Sequence, residues 1–429
     1  MRPRRQFLSM LAGGVGAGIG GFHAAPAWAQ FRVEVTGIGA TQVPVAVATL
    51  RGEDKTGVPI AAIVRADLQR SGVFRLLEAP EGLDERTRPP LEAVRALGAD
   101  ALLAGSATRL ADGRFDLRYK LWDTVRASES LAQSQTVVAG DLRLAAHRIA
   151  DAVHEKLTGE PGVFATRIAF VLVVGKRFTL QVTDADGEGA QVALVSAEPI
   201  ISPAWSPNGR ELAYVSFETQ KAVVWVQDVL SGQRRMLANF RGSNSAPAWS
   251  PDGRELAVTL SQGGPAQLHV ISREGGTPRR LVSSTAIDTE PVWSPDGKSL
   301  YFVSDRGGGP QIYRVAASGG AVERITFNGS YNISPAVSPD GKLLAYITRQ
   351  GNAFKLMAQD LDAGSPRALT DTVDDESPSF APNGRLLVYA TRQQGRDVLM
   401  TTTLDGKIKS RLLSSGADVR EPAWGPFNR

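Results

Sequence analysis

From residue 166 onward, short apolar runs alternate with turn residues, a pattern that indicates β-strands rather than helices. Segments such as Leu212–Ser216 and Gln311–Val315 have the length of ordinary strands, and Asn-Gly or Asp-Gly pairs precede many of them. Asn or Asp followed by Gly supplies the positive φ angles that a tight turn between antiparallel strands needs. We therefore expect a long series of strands joined by hairpins.

One motif recurs through this series. Its full form is Pro-x-Trp-Ser-Pro-Asp-Gly, and its first proline stands at Pro203, Pro247, Pro291, Pro335, Pro378 and Pro422. The intervals are 44, 44, 44, 43 and 44 residues, and four strands in a unit of that length are typical of a propeller blade. Three strands precede the first copy and one follows the fifth full unit. The predicted fold is an all-β six-bladed β-propeller over 166–429, closed by a C-terminal strand in the first blade.

The aromatic residues of the motif recur too regularly to indicate a binding cage. We predict that they pack between neighbouring blades. They are Trp205, Trp249, Trp293, Phe380 and Trp424, and Val337 takes the equivalent position in the remaining blade.

Residues 41–158 have a different pattern, in which extended segments alternate with helical periodicity. Apolar residues from Ile60 to Leu68 fall on one helix face between Pro59 and Gly72. A second helix is predicted near 91–97, a half-buried strand over 115–121, and a last helix with Asp141 as its N-cap. The sequence thus predicts an α/β N-terminal domain, followed by a linker at 159–165.

The first 29 residues are predicted to be a signal peptide. Arg2, Arg4 and Arg5 precede an uncharged stretch that ends in Ala27-Trp28-Ala29, with small residues on both sides of Trp28, so cleavage would leave Gln30 as the first mature residue. The paired arginines also fit the twin-arginine export route, although they are equally compatible with the general secretory route. No other stretch is apolar and long enough for a transmembrane helix.

Composition limits the function classes. Cleavage of the signal peptide would remove three arginines and no acidic residue, which lowers the formal net charge from +4 to +1. A nearly neutral mature chain argues against a nucleic-acid partner. The chain contains no cysteine, so disulfides, thiolate chemistry and cysteine-ligated metal sites are excluded.

Candidate catalytic motifs are incomplete. The Gly-x-Ser-x-Gly nucleophile motif of propeller hydrolases is absent. Ser294–Gly297 resembles a sialidase Asp-box, but its glycine comes one position early, so a hairpin turn is predicted there. We therefore expect no enzymatic activity, no catalytic residue and no cofactor.

Two groups of residues resemble metal sites, and neither is complete. His147 and His154 lie about 10 Å apart along a helix, too far to share an ion, and are expected to be on the helix surface or partly buried. Asp184, Asp186 and Glu188 imitate the start of a calcium loop, but Val195 stands where a bidentate glutamate is required. A polar loop without a metal is predicted.

The order of signal peptide, α/β domain and six-fold propeller, with the helix-and-linker segment Ala146–Gly162 between the domains, resembles the TolB family of the Tol-Pal system. The resemblance covers essentially the whole mature chain. It implies a monomeric, non-enzymatic periplasmic adaptor that supports outer-membrane integrity and constriction in cell division. It also implies two partners: the peptidoglycan-associated lipoprotein Pal at the propeller mouth, and the inner-membrane protein TolA at the mature N-terminus, 30–40.

The family resemblance places candidate binding residues in two regions. Loops just before each Pro-x-Trp strand share one end of the propeller, and their lipoprotein-binding candidates are Ser243, Asn244, Ser245, Ala246, Thr289, Glu290, Tyr331, Asn332, Ile333, Asp375, Glu376, Arg420 and Glu421. The TolA-binding candidates are Phe31, Arg32, Val33, Glu34 and Val35, which suit an added strand.

Each region has an alternative interpretation. Without the family resemblance, the N-terminal segment is better interpreted as an edge strand of the α/β domain. Polar residues at the mouth would also suit an exported propeller enzyme or carbohydrate-binding protein. Paired carboxylates about 5 to 10 Å apart would favour that alternative.

Overall fold

The structure, a computed structural model, describes residues 33–35, 42–362, 364–412 and 417–428. The predicted signal peptide, Phe31 and Arg32 lie outside these residues. Within the described part of the chain, no helix is both long and apolar enough to cross a membrane.

The N-terminal part contains one short separate strand and an α/β domain. In chain order the elements are β1 (Val33–Val35), β2 (Val43–Val47), α1 (Ile60–Arg70), β3 (Phe74–Leu77), α2 (Leu91–Ala96), β4 (Ala101–Arg109), β5 (Phe115–Asp123), β6 (Ser128–Val137) and α3 (Leu142–Thr158). The domain sheet has the order β3-β2-β4-β5-β6; β2 runs parallel to β3 and β4, and the other pairs are antiparallel.

Helices cover both faces of this sheet. α1 and α3 pack on one face, where Val64, Leu68 and Ile149 are fully buried, and α2 covers the other, where Val94 lies in a cluster with Leu102. The predicted side-chain cap of α3 is wrong, because Asp141 occupies the N-cap position without a capping hydrogen bond. A short 3-10 turn over 139–141 leads directly into the helix instead.

Six blades follow, each a four-stranded antiparallel sheet at its core. The first contains β7 (Arg167–Val174), β8 (Arg177–Asp184) and β9 (Gln191–Ser196). The second contains β10 (Ile200–Trp205), β11 (Glu211–Ser216), β12 (Val223–Asp228) and β13 (Arg234–Ala238); the third contains β14 (Asn244–Trp249), β15 (Glu255–Leu260), β16 (Gln267–Ser272) and β17 (Arg279–Arg280).

The remaining blades repeat this arrangement. The fourth contains β18 (Asp288–Trp293), β19 (Ser299–Ser304), β20 (Gln311–Ala316) and β21 (Val322–Arg324). The fifth contains β22 (Asn332–Val337), β23 (Leu343–Gln350), β24 (Ala353–Asp360) and β25 (Arg367–Ala368); the sixth contains β26 (Glu376–Phe380), β27 (Leu386–Gln393), β28 (Arg396–Thr403) and β29 (Ile408–Arg411).

The chain closes the ring with its last strand, β30 (Asp418–Trp424). This strand pairs antiparallel with β7, with Asp418 opposite Val173 and Trp424 opposite Ile168. It supplies the innermost strand that the first blade otherwise lacks. The predicted six-bladed propeller, closed by a C-terminal strand, is confirmed.

The Ser-Pro-Asp-Gly part of the repeat forms the first hairpin turn of a blade. Asp252 accepts hydrogen bonds from Ser250 Oγ at 2.6 Å and from the Arg254 N–H at 3.0 Å, and Gly253 has a φ of 70°. The same bonds recur in the second, fourth and fifth blades, at Asn208, Asp296 and Asp340. The Asp-box-like segment is therefore a structural turn, as predicted.

The tryptophans of the repeat connect neighbouring blades. Trp249 Nε1 donates to the Ala204 carbonyl at 3.2 Å, and Trp293 Nε1 donates to the Ala248 carbonyl at 3.1 Å. Each acceptor belongs to the preceding blade, which confirms the predicted packing role. Val337 lacks this donor and packs in an apolar cluster instead.

The linker between the domains is held against α3. Asp151 accepts hydrogen bonds from the backbone N–H groups of Phe164 at 2.7 Å and Ala165 at 3.0 Å. Gly162 lies so close that an added Cβ would be 2.3 Å from Asp151 Oδ1 and 2.6 Å from its Cα. The segment before β7 is thus held by hydrogen bonds to the Asp151 carboxylate, and it can lie close to α3 because Gly162 has no side chain.

Gly162→Ala is expected to lower the free energy of unfolding by about 1–3 kcal/mol, because the new methyl group must displace either α3 or the linker. Urea unfolding followed by circular dichroism measures the change. Gly263→Ala is the control, since a Cβ there meets nothing within 4 Å. Equal stability of the two variants would contradict the packing constraint.

Candidate partner-binding sites

The loops that join one blade to the next lie at one end of the propeller, because all six blades share the same antiparallel strand order. We call this end the mouth and define its surface by the loops 239–243, 283–287, 325–331 and 369–375. The Ser-Pro-Asp-Gly turns lie at the opposite end.

Three of the predicted mouth residues are buried and hold the loops closed. Asn244 Nδ2 donates to the carbonyls of Ala222 at 3.1 Å and Phe240 at 3.0 Å. Asn332 donates to the Asn328 carbonyl at 2.8 Å and is fully buried. Both side chains are fully buried under the loop backbone.

Asp375 has the same structural role in the fifth-to-sixth blade loop. Its carboxylate accepts hydrogen bonds from Thr391 Oγ1 at 2.7 Å and from the Leu356 N–H at 2.9 Å. It is 2% exposed. Asn244, Asn332 and Asp375 thus close the loops from their buried positions, and their predicted contact with a partner stays a prediction.

The residue before the first motif proline has a positive φ in every blade. The angles, between 50° and 54°, occur at Ser202, Ala246, Glu290, Ser334, Ser377 and Glu421. The strand pairing shifts register there. Glu290 Oε2 accepts from the Ser334 N–H at 2.7 Å, and Glu421 Oε2 accepts from the Ser202 N–H at 3.3 Å. These two acidic residues therefore connect adjacent blades.

The other predicted mouth residues differ in accessibility. Ser243 is exposed, whereas Ala246 is buried. Arg420 Nη2 lies 2.5 Å from Asp397 Oδ2 within the sixth-to-first blade contact. The half-buried candidates are Ser245, Thr289, Glu290, Tyr331, Ile333, Glu376, Arg420 and Glu421.

Two apolar residues on the mouth surface were not among the predicted candidates. Phe327 is 70% exposed and Val373 is 56% exposed. The Arg324 guanidinium lies 5.2 Å from the Phe327 ring centroid. The sequence contains a signal for both residues, because each is a large apolar side chain with a polar residue on either side.

The N-terminal strand is docked on the propeller. β1 pairs antiparallel with β29, with Val33 opposite Ser410 and Val35 opposite Ile408, and so adds a fifth strand to the sixth blade. The alternative interpretation placed this segment at the edge of the α/β-domain sheet. It is wrong, because β1 pairs with the outermost strand of a propeller blade. An outermost strand offers unpaired backbone groups for such an addition.

A buried charged cluster joins the α/β domain to the propeller. His147 on α3 was expected at the helix surface or partly buried, but it is fully buried. Its Nδ1 lies 2.6 Å from Asp67 Oδ2 on α1, and Arg70 Nη2 lies 2.6 Å from Asp67 Oδ1. Arg143 on α3 is hydrogen-bonded to Asp186, in the propeller loop after β8.

The other ring nitrogen of His147 faces the propeller. Nε2 lies 3.6 Å from Asp186 Oδ2 and 3.8 Å from Asp184 Oδ2, without a hydrogen-bond partner. The loop after β8 is polar, as predicted, and the Glu188 N–H donates to Asp186 Oδ1 at 3.0 Å. Among the described residues, Asp67, His147 and Asp186 are the group of acidic and histidine side chains close enough to hold an ion.

Burial and charge act in opposite directions within this cluster. Burial alone would lower the pKa of His147, but the charge and hydrogen bond of Asp67, with the charges of Asp186 and Asp184, raise it. Burial opposes ionisation of Asp186, yet His147, Arg70 and Arg143 hold its pKa below the ordinary value.

Family models match both domains. The TolB amino-terminal domain matches residues 31–130, and the TolB beta propeller domain matches residues 154–428. The chain belongs to the TolB family.

A solved TolB structure and two curated TolB proteins show the extent of the similarity. TolB from Acinetobacter baumannii is 37% identical with a TM-score of 0.84, over 93% of this chain and 100% of that chain. The Tol-Pal system protein TolB of Polaromonas sp. (strain JS666 / ATCC BAA-500) is 60% identical over 244 residues, 57% of this chain and 55% of its own length. Its counterpart in Bordetella parapertussis is 50% identical over 222 residues, 52% and 50% of the two lengths. The chain thus spans about half the length of the curated TolB relatives it matches.

Within this TolB-family propeller, Asn244→Ala is expected to lower the free energy of unfolding by about 1–3 kcal/mol, because it leaves buried loop carbonyls without a donor. Ser243→Ala, one residue earlier and exposed, is the control and should leave stability unchanged. Thermal unfolding measures both. A Ser243→Ala variant as unstable as Asn244→Ala would contradict the loop-closing role.

Proposed function

We propose that the chain is a non-enzymatic periplasmic adaptor of the Tol-Pal system. It binds the lipoprotein Pal through the propeller mouth and TolA through the mature N-terminus, and so supports outer-membrane integrity and constriction in cell division. Membership of the TolB family and the name of the relatives, Tol-Pal system protein TolB, support this proposal.

The observation that carries the mouth proposal is a pair of exposed apolar side chains, in two loops at the end of the propeller away from the linker. The linker contacts the opposite end, where the Asn383 side chain donates to the Pro161 carbonyl at 3.1 Å and Arg385 Nε lies 2.7 Å from Glu160 Oε2. The mouth retains exposed Phe327 and Val373. Exposed apolar side chains among polar loops are typical of a protein-binding surface.

The buried residues define which mouth positions are available to Pal. The buried side chains of Asn244, Asn332 and Asp375 bond to the loop backbone. The proposed contacts with Pal are therefore made by the accessible residues around them. We propose Ser243, Ser245, Thr289, Tyr331 and Ile333, together with Phe327 and Val373, as the Pal-binding set. Tyr331 packs edge-on against Phe354 at 6.1 Å, which holds its ring in place for a partner.

We propose that the chain has no enzymatic activity, because carboxylates at the mouth accept hydrogen bonds from the propeller itself. Asp375 accepts four hydrogen bonds from its own loop and strands, and Glu290 accepts one from the next blade. Carboxylates held in this way stabilise the blades rather than face a substrate as an acid and base pair.

The N-terminal segment is proposed to bind TolA by strand addition. In the structure, β1 already pairs through its backbone with an outer strand of the propeller. The same geometry would serve pairing with a strand of a partner. Since one strand edge pairs with one neighbour at a time, a partner that takes the edge used by β29 must first displace β29.

Phe327→Ala is expected to weaken Pal binding about tenfold, the effect of losing about 1.4 kcal/mol from a residue that carries part of the binding energy. Isothermal titration with the soluble domain of Pal measures the affinity. Leu230→Ala is the matched control: Leu230 is 87% exposed but lies in the turn between β12 and β13, away from the mouth. Wild-type affinity in Phe327→Ala would exclude Phe327 from the binding surface.

Deletion of residues 30–39 is expected to abolish TolA binding and leave Pal binding intact, because only the added strand is lost. A pull-down with the periplasmic domain of TolA measures the first and titration with Pal the second. A chain with residues 30–39 scrambled controls for segment length. TolA capture by the deleted form would refute the assignment.

A further inference from the structure

The buried cluster between the domains contains three acidic and three basic side chains. Three carboxylates, on Asp67, Asp184 and Asp186, meet two guanidinium groups, on Arg70 and Arg143, around the imidazole of His147. Asp67 and Arg70 belong to α1, and Arg143 and His147 to α3. The two remaining carboxylates belong to the first blade of the propeller, so His147 lies between the domains.

The geometry around His147 differs for its two protonation states. If the imidazole is neutral with its proton on Nδ1, where Asp67 accepts it, the lone pair of Nε2 faces two carboxylates at 3.6 and 3.8 Å. That arrangement is repulsive. A second proton on Nε2 directs a positive N–H group at the same carboxylates and brings the cluster to three positive and three negative charges.

A metal ion is a poorer occupant of this position than a proton. Arg143 is already hydrogen-bonded to Asp186, and its Nε lies 3.6 Å from Asp184 Oδ2. Arg70 occupies Asp67 in the same way. An ion would have to displace a guanidinium group and then lie beside its positive charge.

We propose that His147 is a proton-operated tie between the α/β domain and the propeller. Its imidazolium attracts the carboxylates of the propeller loop and holds the two domains together. Loss of the proton replaces this attraction with repulsion across the interface. The tie therefore weakens as the surroundings become more alkaline.

The direction of the pH effect follows from linkage. Because the pKa of His147 is raised on folding, its stabilising contribution is complete below the ordinary histidine pKa of about 6.5 and is lost as the pH rises through the folded value. Between the two pKa values, the equilibrium constant for folding falls by at most about tenfold per pH unit.

Other charged groups near the cluster set the useful pH range. Asp151 lies on α3, Glu188 on the propeller loop, and Arg167 faces Asp184 across β7 and β8. Burial raises the pKa of Asp151 to about 6, so its own loss of stabilisation with rising pH is largely complete by about pH 7. Burial also raises the pKa of Asp184. Measurements above pH 7 therefore separate His147 from Asp151.

The first test measures the proton directly. Imidazole nitrogen shifts are followed by NMR in the full mature chain across pH 5 to 9, with the His147 signal assigned through its loss in His147→Gln. The midpoint should lie above about 6.5 and above those of His154 and His269, whose pKa values burial lowers. A midpoint at or below 6.5 would overturn the proposal.

The second test measures the interface. The chain has no cysteine, so spin labels at Arg95→Cys on α2 and Leu230→Cys on the second blade report one interdomain distance. The distance distribution should broaden between pH 7 and 9 in the otherwise wild-type chain, be broad at both values in His147→Gln, and behave as wild type in His269→Gln. A distribution unchanged by pH, or the same pH response in His147→Gln, would refute the tie.

Added zinc chloride distinguishes the proton from a metal ion. The distance distribution at pH 9 should be unchanged by the ion. Narrowing that requires His147 would overturn the proposal in favour of a metal site with a neutral imidazole. If His147→Gln does not fold, the His147 signal is assigned by elimination from His154→Gln and His269→Gln, and the NMR titration with the wild-type distance measurement then decides between the two outcomes.

Discussion

The pairing of β30 with β7 is the interaction on which the rest of the structure depends. It joins the last residues of the chain to the first blade and turns a row of sheets into a ring. Without it, the first blade would lack its innermost strand, and the inner strands of its two neighbours would face a gap. Ring closure also explains why the mouth loops have fixed relative positions: each loop is anchored to two blades, and every blade has a neighbour on both sides.

Repeated and non-repeated residues have separate tasks in this ring. The tryptophans and the Asn-Gly or Asp-Gly turns recur because most blades share the same contact with a neighbour and the same hairpin. Glu290 and Glu421 extend this set, since each connects two blades through a backbone N–H. Phe327 and Val373 do not belong to this repeated set. Their exposure costs favourable burial, which is consistent with a surface that a partner covers.

The propeller was predictable from sequence because its signal is local and occurs six times. Spacing, turn residues and alternating apolar positions all indicate the same blade, and the missing strand at one end matches the extra strand at the other. The burial of Asn244, Asn332 and Asp375 was not predictable in the same way. A polar residue beside a loop gives the same sequence pattern whether its side chain faces water or is buried and bonds to the loop backbone. The partners of His147 were hidden for a different reason: Asp67, His147 and Asp186 are far apart in sequence, and only the packing of two domains brings them together.

The three-residue pairing of β1 has a mechanical consequence. A pull on the N-terminus meets this short ladder first, then the α/β domain and its linker, and only afterwards β7, which the seven-residue strand β30 secures. The pairings along this path lengthen from the three residues of β1 to the seven-residue strand β30. Opening the pairing of β1 with β29 would leave the pairing of β30 with β7 in place.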